Sequence, residues 1–132
     1  MKGSVLIVED ERGILLALED RLSQEDILVM GYTSASKAID EIRGGLQYNI
    51  ALVDLSFDER CVIGGVNSVY SGWDVIRESQ IRNPAIPVVL ITGYDKPPNW
   101  NGYYWHKLSD RDALLRIVNF HLDKNPPQKP KK

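Results

Sequence analysis

Five polar residues stand at the ends of apolar runs, and their side-chain types suit one chemistry. Glu9 and Asp10 follow Ser-Val-Leu-Ile-Val at residues 4–8, and Asp54 ends the run that begins at Asn49. Thr92 closes Ala85 to Ile91, and Lys107 follows Tyr103-Tyr104-Trp105-His106. Three carboxylates gathered in one crevice repel one another, so either their pKa values rise or a cation holds them. Mg2+ is the natural cation, because it takes hard oxygen ligands, keeps several waters and leaves room for a phosphate oxygen. Lys107 adds a positive group suited to a phosphoryl oxygen, and the Thr92 hydroxyl is a donor for another. Together they describe a site where a carboxylate takes up a phosphoryl group as an aspartyl phosphate.

The elements that must position these groups follow from hydrophobic pattern. Residues 4–8, Ile27 to Tyr32, Asn49 to Ser56, Ala85 to Thr92 and Tyr103 to His106 read as strands without in/out alternation, the pattern of a sheet buried on both faces. Ile14, Leu15, Leu18 and Leu22 recur at helical spacing after the first strand. A second stripe runs through Ala35, Ala38, Ile39 and Ile42, with Thr33 or Ser34 as N-cap and Gly44-Gly45 as stop. A third helix starts near Gly72 or Trp73, carries Val75 and Ile76 inward and stops before Pro84. The last carries Leu114, Leu115, Val118 and Leu122 behind a cap at Ser109-Asp110. Alternating strands and helices predict an α/β fold, a doubly wound parallel sheet with right-handed crossovers. In such sheets ligands bind outside the carboxyl ends of the strands, where all five polar residues lie.

Two segments break the alternation. Residues 55–71 are long for a strand-to-helix connection, and periodicity supports a small hairpin around Gly64-Gly65. Between Thr92 and Lys107, Pro97-Pro98 makes a full helix improbable, so the fourth helix is expected to be shortened or missing.

The chain has 132 residues, 43% apolar and 26% charged, enough for one domain with a real core. A net charge of −2 gives no general reason to expect nucleic acid or an anionic membrane as partner. One cysteine, Cys61, excludes an internal disulfide and suits a cytoplasmic setting. No run is long enough to span a bilayer, and Met1-Lys2-Gly3 leads directly into a strand rather than a signal peptide. Residues 1–123 are expected to form the domain, and the basic, proline-rich 124–132 a disordered tail or linker stub. His106 and His121, without evident partners, are expected at the surface.

With these residues in chain order, the sequence resembles a response-regulator receiver domain of two-component signalling, over residues 4 to about 123. Val-Glu9-Asp10-Glu is similar to the acidic pair of that family, Val-Asp54-Leu to its phosphoacceptor site, Leu-Ile-Thr92-Gly93 to its hydroxyl residue and small neighbour, and Lys107 to its lysine. Ser-Gly72-Trp-Asp-Val-Ile resembles the start of its third helix. The resemblance implies a flavodoxin-like, five-stranded sheet of order 2-1-3-4-5. It also implies Asp54 as nucleophile and metal ligand, Asp10 bound to Mg2+ directly, Glu9 through water, and Ser56 contributing its backbone carbonyl. Thr92 would hydrogen-bond the phosphoryl group, Gly93 would offer its N–H, and Tyr104 would stand as the switch aromatic.

The function so implied is a cytoplasmic phosphoacceptor rather than a turnover enzyme. A sensor histidine kinase or histidine phosphotransfer protein would supply the group, and slow autodephosphorylation would remove it. Output would pass through a downstream protein target or an effector domain outside this chain. Lys107 is followed by Leu108, where the family usually has proline, so the aim of the lysine is open. The competing reading is a receiver-like adaptor that binds a partner without phosphorylation. An aspartyl-phosphate hydrolase is disfavoured, because Asp54-Leu55-Ser56 has no second acid two residues on. Taken singly, each residue also has an ordinary structural use, such as acids at a helix N-terminus. The set in order is what distinguishes the site.

Overall fold

The computed structural model describes residues 2–55, 58–63, 66–94, 96–107 and 109–124. In chain order it runs β1 (Gly3–Val8), α1 (Arg12–Ser23), β2 (Ile27–Tyr32), α2 (Ala35–Arg43), β3 (Ile50–Asp54), β4 (Asp58–Ile63), β5 (Val66–Ser71), α3 (Gly72–Arg82), β6 (Val88–Thr92), β7 (Tyr104–His106) and α4 (Arg111–Lys124). Five strands form one parallel sheet in the order β2-β1-β3-β6-β7. Setting aside β4 and β5, which form a separate two-stranded sheet, this is the expected 2-1-3-4-5 arrangement. The Tyr103–Lys107 region supplies only a three-residue edge strand.

Strand periodicity divides the core in two. Val5, Ile7, Ile50, Leu52, Val89 and Ile91 pack with Leu15, Leu18 and Leu22 of α1 and Leu114, Val118 and Leu122 of α4. The alternate residues, among them Leu6, Val8, Ala51, Val53, Val88 and Leu90, pack with the α2 stripe and with Val75 and Ile76 of α3. Each central strand is therefore apolar throughout because both of its faces are covered. Such burial, at about 25 cal/mol per Å2, is the main force holding the layers together.

Local chemistry sets the boundaries. The Ser34 side chain accepts the Lys37 N–H at 3.1 Å to cap α2, and Gly45 at φ +96° ends that segment in the left-handed region that favours glycine. At α4 the cap falls on Asp110, whose Oδ1 accepts the Asp112 N–H at 3.0 Å, and the helix continues through Lys124. The Tyr48 hydroxyl joins Ser79 at 2.6 Å and accepts from Asn83 at 3.0 Å, tying the start of β3 to the end of α3.

The two irregular segments have different outcomes. Residues 58–71 form an antiparallel hairpin, β4 with β5, in register from Asp58↔Ser71 to Ile63↔Val66. The long connection thus holds a small sheet of its own; the expected turn at Gly64-Gly65 lies outside the described residues, as does Ser56. Between β6 and β7 the described residues contain no helix. An aromatic contact fills its place: Trp100 meets Trp73 of α3 edge-on, centroids 6.1 Å apart, and its Nε1 donates to the Tyr103 carbonyl at 2.9 Å. A Cβ at Gly102 would stand 2.8 Å from the Trp100 ring, so glycine lets the indole fold over the chain.

The surface expectation for His121 is overturned. It is 7% exposed, on the inward side of α4, edge-on to Tyr103 at 4.4 Å between centroids. His106 is half-buried in β7. Among the described residues no helix is long and apolar enough to cross a membrane.

Candidate phosphoacceptor site

Parallel pairing carries the five predicted residues to one edge of the sheet. Register couples Val8 with Val53, Asp54 with Ile91, and Thr92 with His106, so the chain leaves β1, β3, β6 and β7 at similar heights. Backbone bonds continue past the strand ends: Glu9 N–H donates to the Tyr32 carbonyl at 3.0 Å and Lys107 N–H to the Thr92 carbonyl at 2.9 Å. Glu9 and Lys107 are therefore fixed by the ladder although neither lies within a strand.

Asp54 and Glu9 are fully buried, and Asp10 is exposed at the mouth. One carboxylate oxygen from each of Glu9, Asp10 and Asp54 lies within 4.8 Å of the other two. Lys107 Nζ sits 2.8 Å from Asp54 Oδ2 and 3.0 Å from each oxygen of Glu9. The lysine thus reaches inward without a proline after it. Glu9 Oε1 also accepts the Glu11 N–H at 3.1 Å, while Oε2, though close to the ammonium, receives no aligned hydrogen bond among the described residues.

Burial, and to a lesser degree mutual repulsion, raises the pKa values of these acids. Burial pushes the Glu9 carboxyl up to about 8, with Asp54 adding to the effect and Lys107 and the Glu11 amide opposing it. Asp10 is raised as well, by burial first and then by Asp54. Burial disfavours the charged form of Lys107, but its bonds to Asp54 and Glu9 outweigh this and raise its pKa. One ammonium cannot balance three carboxylates. Hard oxygens at this spacing, an excess of negative charge and a buried Oε2 lacking an aligned donor fit a small divalent cation.

Thr92 is 3% exposed, and its hydroxyl accepts the Tyr94 N–H at 3.1 Å. Gly93 is exposed, with open space where a Cβ would stand. Tyr104 is half-buried against the α2/α3 side of the core, with its hydroxyl 3.5 Å from the Tyr94 carbonyl. Ser56 lies outside the described residues. A feature the site reading passed over is Gly72: a Cβ there would overlap the Asp54 carbonyl oxygen. Its signals in the sequence were its place as the first helical residue after a serine and the likeness of Ser-Gly72-Trp-Asp-Val-Ile to the start of a receiver's third helix.

No protein-family model matches the chain, and no curated protein matches it in sequence. Solved structures do. A CheY-like response-regulator receiver domain protein from Methanospirillum hungatei is 22% identical with a TM-score of 0.76, covering 92% of this chain and 94% of that one. A receiver protein from Sinorhizobium medicae is 24% identical with a TM-score of 0.74, over 92% and 95%. The response regulator TrrA from Thermotoga maritima, solved with Mg2+ and beryllium fluoride, is 21% identical with a TM-score of 0.72, over 89% and 97%. The chain has the flavodoxin-like fold of CheY-like response-regulator receiver domains.

Proposed function

We propose that this chain is a signalling receiver that accepts a phosphoryl group on Asp54. The observation that carries the reading is the contact of a fully buried Asp54 with Lys107 at 2.8 Å, beside Glu9 and Asp10. Two acids and an ammonium converging on a third acid at a strand tip are costly for stability, and this reading gives them a use.

In the proposed reaction an Asp54 oxygen attacks the phosphorus of a phosphohistidine on a sensor kinase or phosphotransfer protein. The O–P bond forms as the P–N bond breaks, and the bonding pair leaves with the imidazole. Asp54, Asp10 and Glu9 would hold Mg2+, Glu9 through water, with the Ser56 carbonyl as a further ligand, and the bound ion would supply charge compensation at the phosphoryl oxygens. Lys107 orients the Asp54 carboxylate beforehand and presents its ammonium to the transferring group. The Thr92 hydroxyl donates to another oxygen, and Gly93, free of a side chain, leaves its N–H accessible. Water later attacks the phosphorus, regenerating Asp54 and releasing phosphate. The chain is a self-modified acceptor in the cytoplasm, not a turnover enzyme. The added charge draws on Thr92 and Lys107 and shifts the equilibrium between two surface conformations, with Tyr104 following.

Beryllium fluoride with Mg2+ mimics the phosphoryl group and tests the proposal directly. Saturable binding, lost in Asp54→Ala, is the expected result. Absence of binding by folded wild-type protein contradicts it and favours an adaptor that works without phosphorylation.

A further inference from the structure

Gly72 is the first residue of α3, and its backbone is not in the left-handed region, since Gly45 alone among the described glycines has positive φ. Conformational freedom is therefore not why glycine stands there. Space is. An added Cβ would overlap the Asp54 carbonyl oxygen and come within 3.0 Å of its carbonyl carbon and 3.1 Å of Leu55 Cδ2. Two of these three atoms are backbone, so no rotamer change relieves the contact.

Neither partner is free to withdraw. The tip of β3 is fixed by its pairing with β6, Asp54 opposite Ile91, and by the Leu55 N–H to the Ile91 carbonyl at 3.4 Å. The start of α3 is fixed by Ser71, whose N–H donates to Asp74 Oδ2 at 2.8 Å and which pairs with Asp58 at the base of the hairpin. We propose that Gly72 is a positioning residue for Asp54: its bare α carbon lets α3 abut the Asp54 carbonyl and so fixes the carboxylate against Lys107, Glu9 and Asp10. The hairpin, whose second strand runs directly into Gly72, is then joined mechanically to the acceptor through that residue. This inference rests on Asp54 being the acceptor.

Gly72→Ala is compared with wild type and with Gly13→Ala, a helical glycine with nothing within 4 Å of its added Cβ. The readouts are the rate of phosphorylation by acetyl phosphate at saturating Mg2+, normalised to the folded fraction, and the dissociation constant for beryllium fluoride with Mg2+. Gly72→Ala is expected to lose roughly tenfold or more in both, as small misplacements of reacting groups do, while Gly13→Ala matches wild type. A Gly72→Ala protein that melts lower but reacts at the wild-type rate once folded overturns the positioning role, leaving the proposed function intact. A folded wild type that takes neither ligand nor phosphate overturns both. Should Gly72→Ala not fold, hydrogen exchange on wild type decides. Beryllium fluoride with Mg2+ should change protection at residues 71–73 together with 54–55, and an unchanged 71–73 segment overturns the inference.

Discussion

Lys107 Nζ stands 2.8 Å from Asp54 Oδ2 and 3.0 Å from both oxygens of Glu9, bridging two fully buried carboxylates from different strand ends. The lysine side chain is itself only 9% exposed, so the bridge is screened little by solvent. Removing one partner from such a group costs more than the pair contributes, because the remaining charges stay buried.

Lys107→Ala should therefore lower unfolding free energy in urea by on the order of 3 kcal/mol above neutral pH. The loss should shrink in acid, where Glu9 and Asp10 take up protons, and shrink again with added Mg2+. An undiminished loss under both conditions contradicts this account of the site's charge.

Glu9 gives the stability a pH dependence of definite sign. Its folded pKa of about 8 lies above the ordinary 4.5, so the folded state holds the proton more tightly than the unfolded chain. Stability of the metal-free protein should be greatest below that lower value and fall as pH rises toward the upper one. Glu9→Gln should flatten the slope in denaturation curves taken across this window, and saturating Mg2+ should flatten it too by competing with the proton.

His121 acts in the opposite direction. Burial, then Lys124, lowers its pKa below the ordinary 6.5, so its contribution to stability is lost as pH falls beneath that value. Its buried Nε2 has no hydrogen-bond partner among the described residues. His121→Leu should remove the acid-side loss and raise stability by about 1 kcal/mol, read from thermal melts on either side of the transition.

The Tyr48 hydroxyl serves packing, not chemistry. Tyr48→Phe strips the partner from Ser79, which is fully buried, and from Asn83, and should cost about 1–2 kcal/mol. Phosphorylation of the folded protein should be unchanged.

The sheet was legible because burial on both faces leaves continuous apolar runs, and the site because polar residues end those runs at one edge. The hairpin was legible from alternation around a glycine pair. His121 was missed although Leu114, Val118, His121 and Leu122 share a helical stripe; histidine chemistry drew the reading outward where position pointed inward. The aim of Lys107 depended on a peptide path that no local pattern encodes, and the fit of Gly72 against Asp54 on a backbone distance between residues far apart in the chain. Trp73 and Trp100 meet only because the segment between β6 and β7 folds back, which no periodicity announces.

Incubation with acetyl phosphate and Mg2+, followed by intact mass, tests the central claim most directly. The account predicts gain of a single phosphoryl group, mapped to Asp54, removed by hydroxylamine and absent from Asp54→Asn. A folded protein that gains none, or an Asp54→Asn variant that gains as much as wild type, would contradict it.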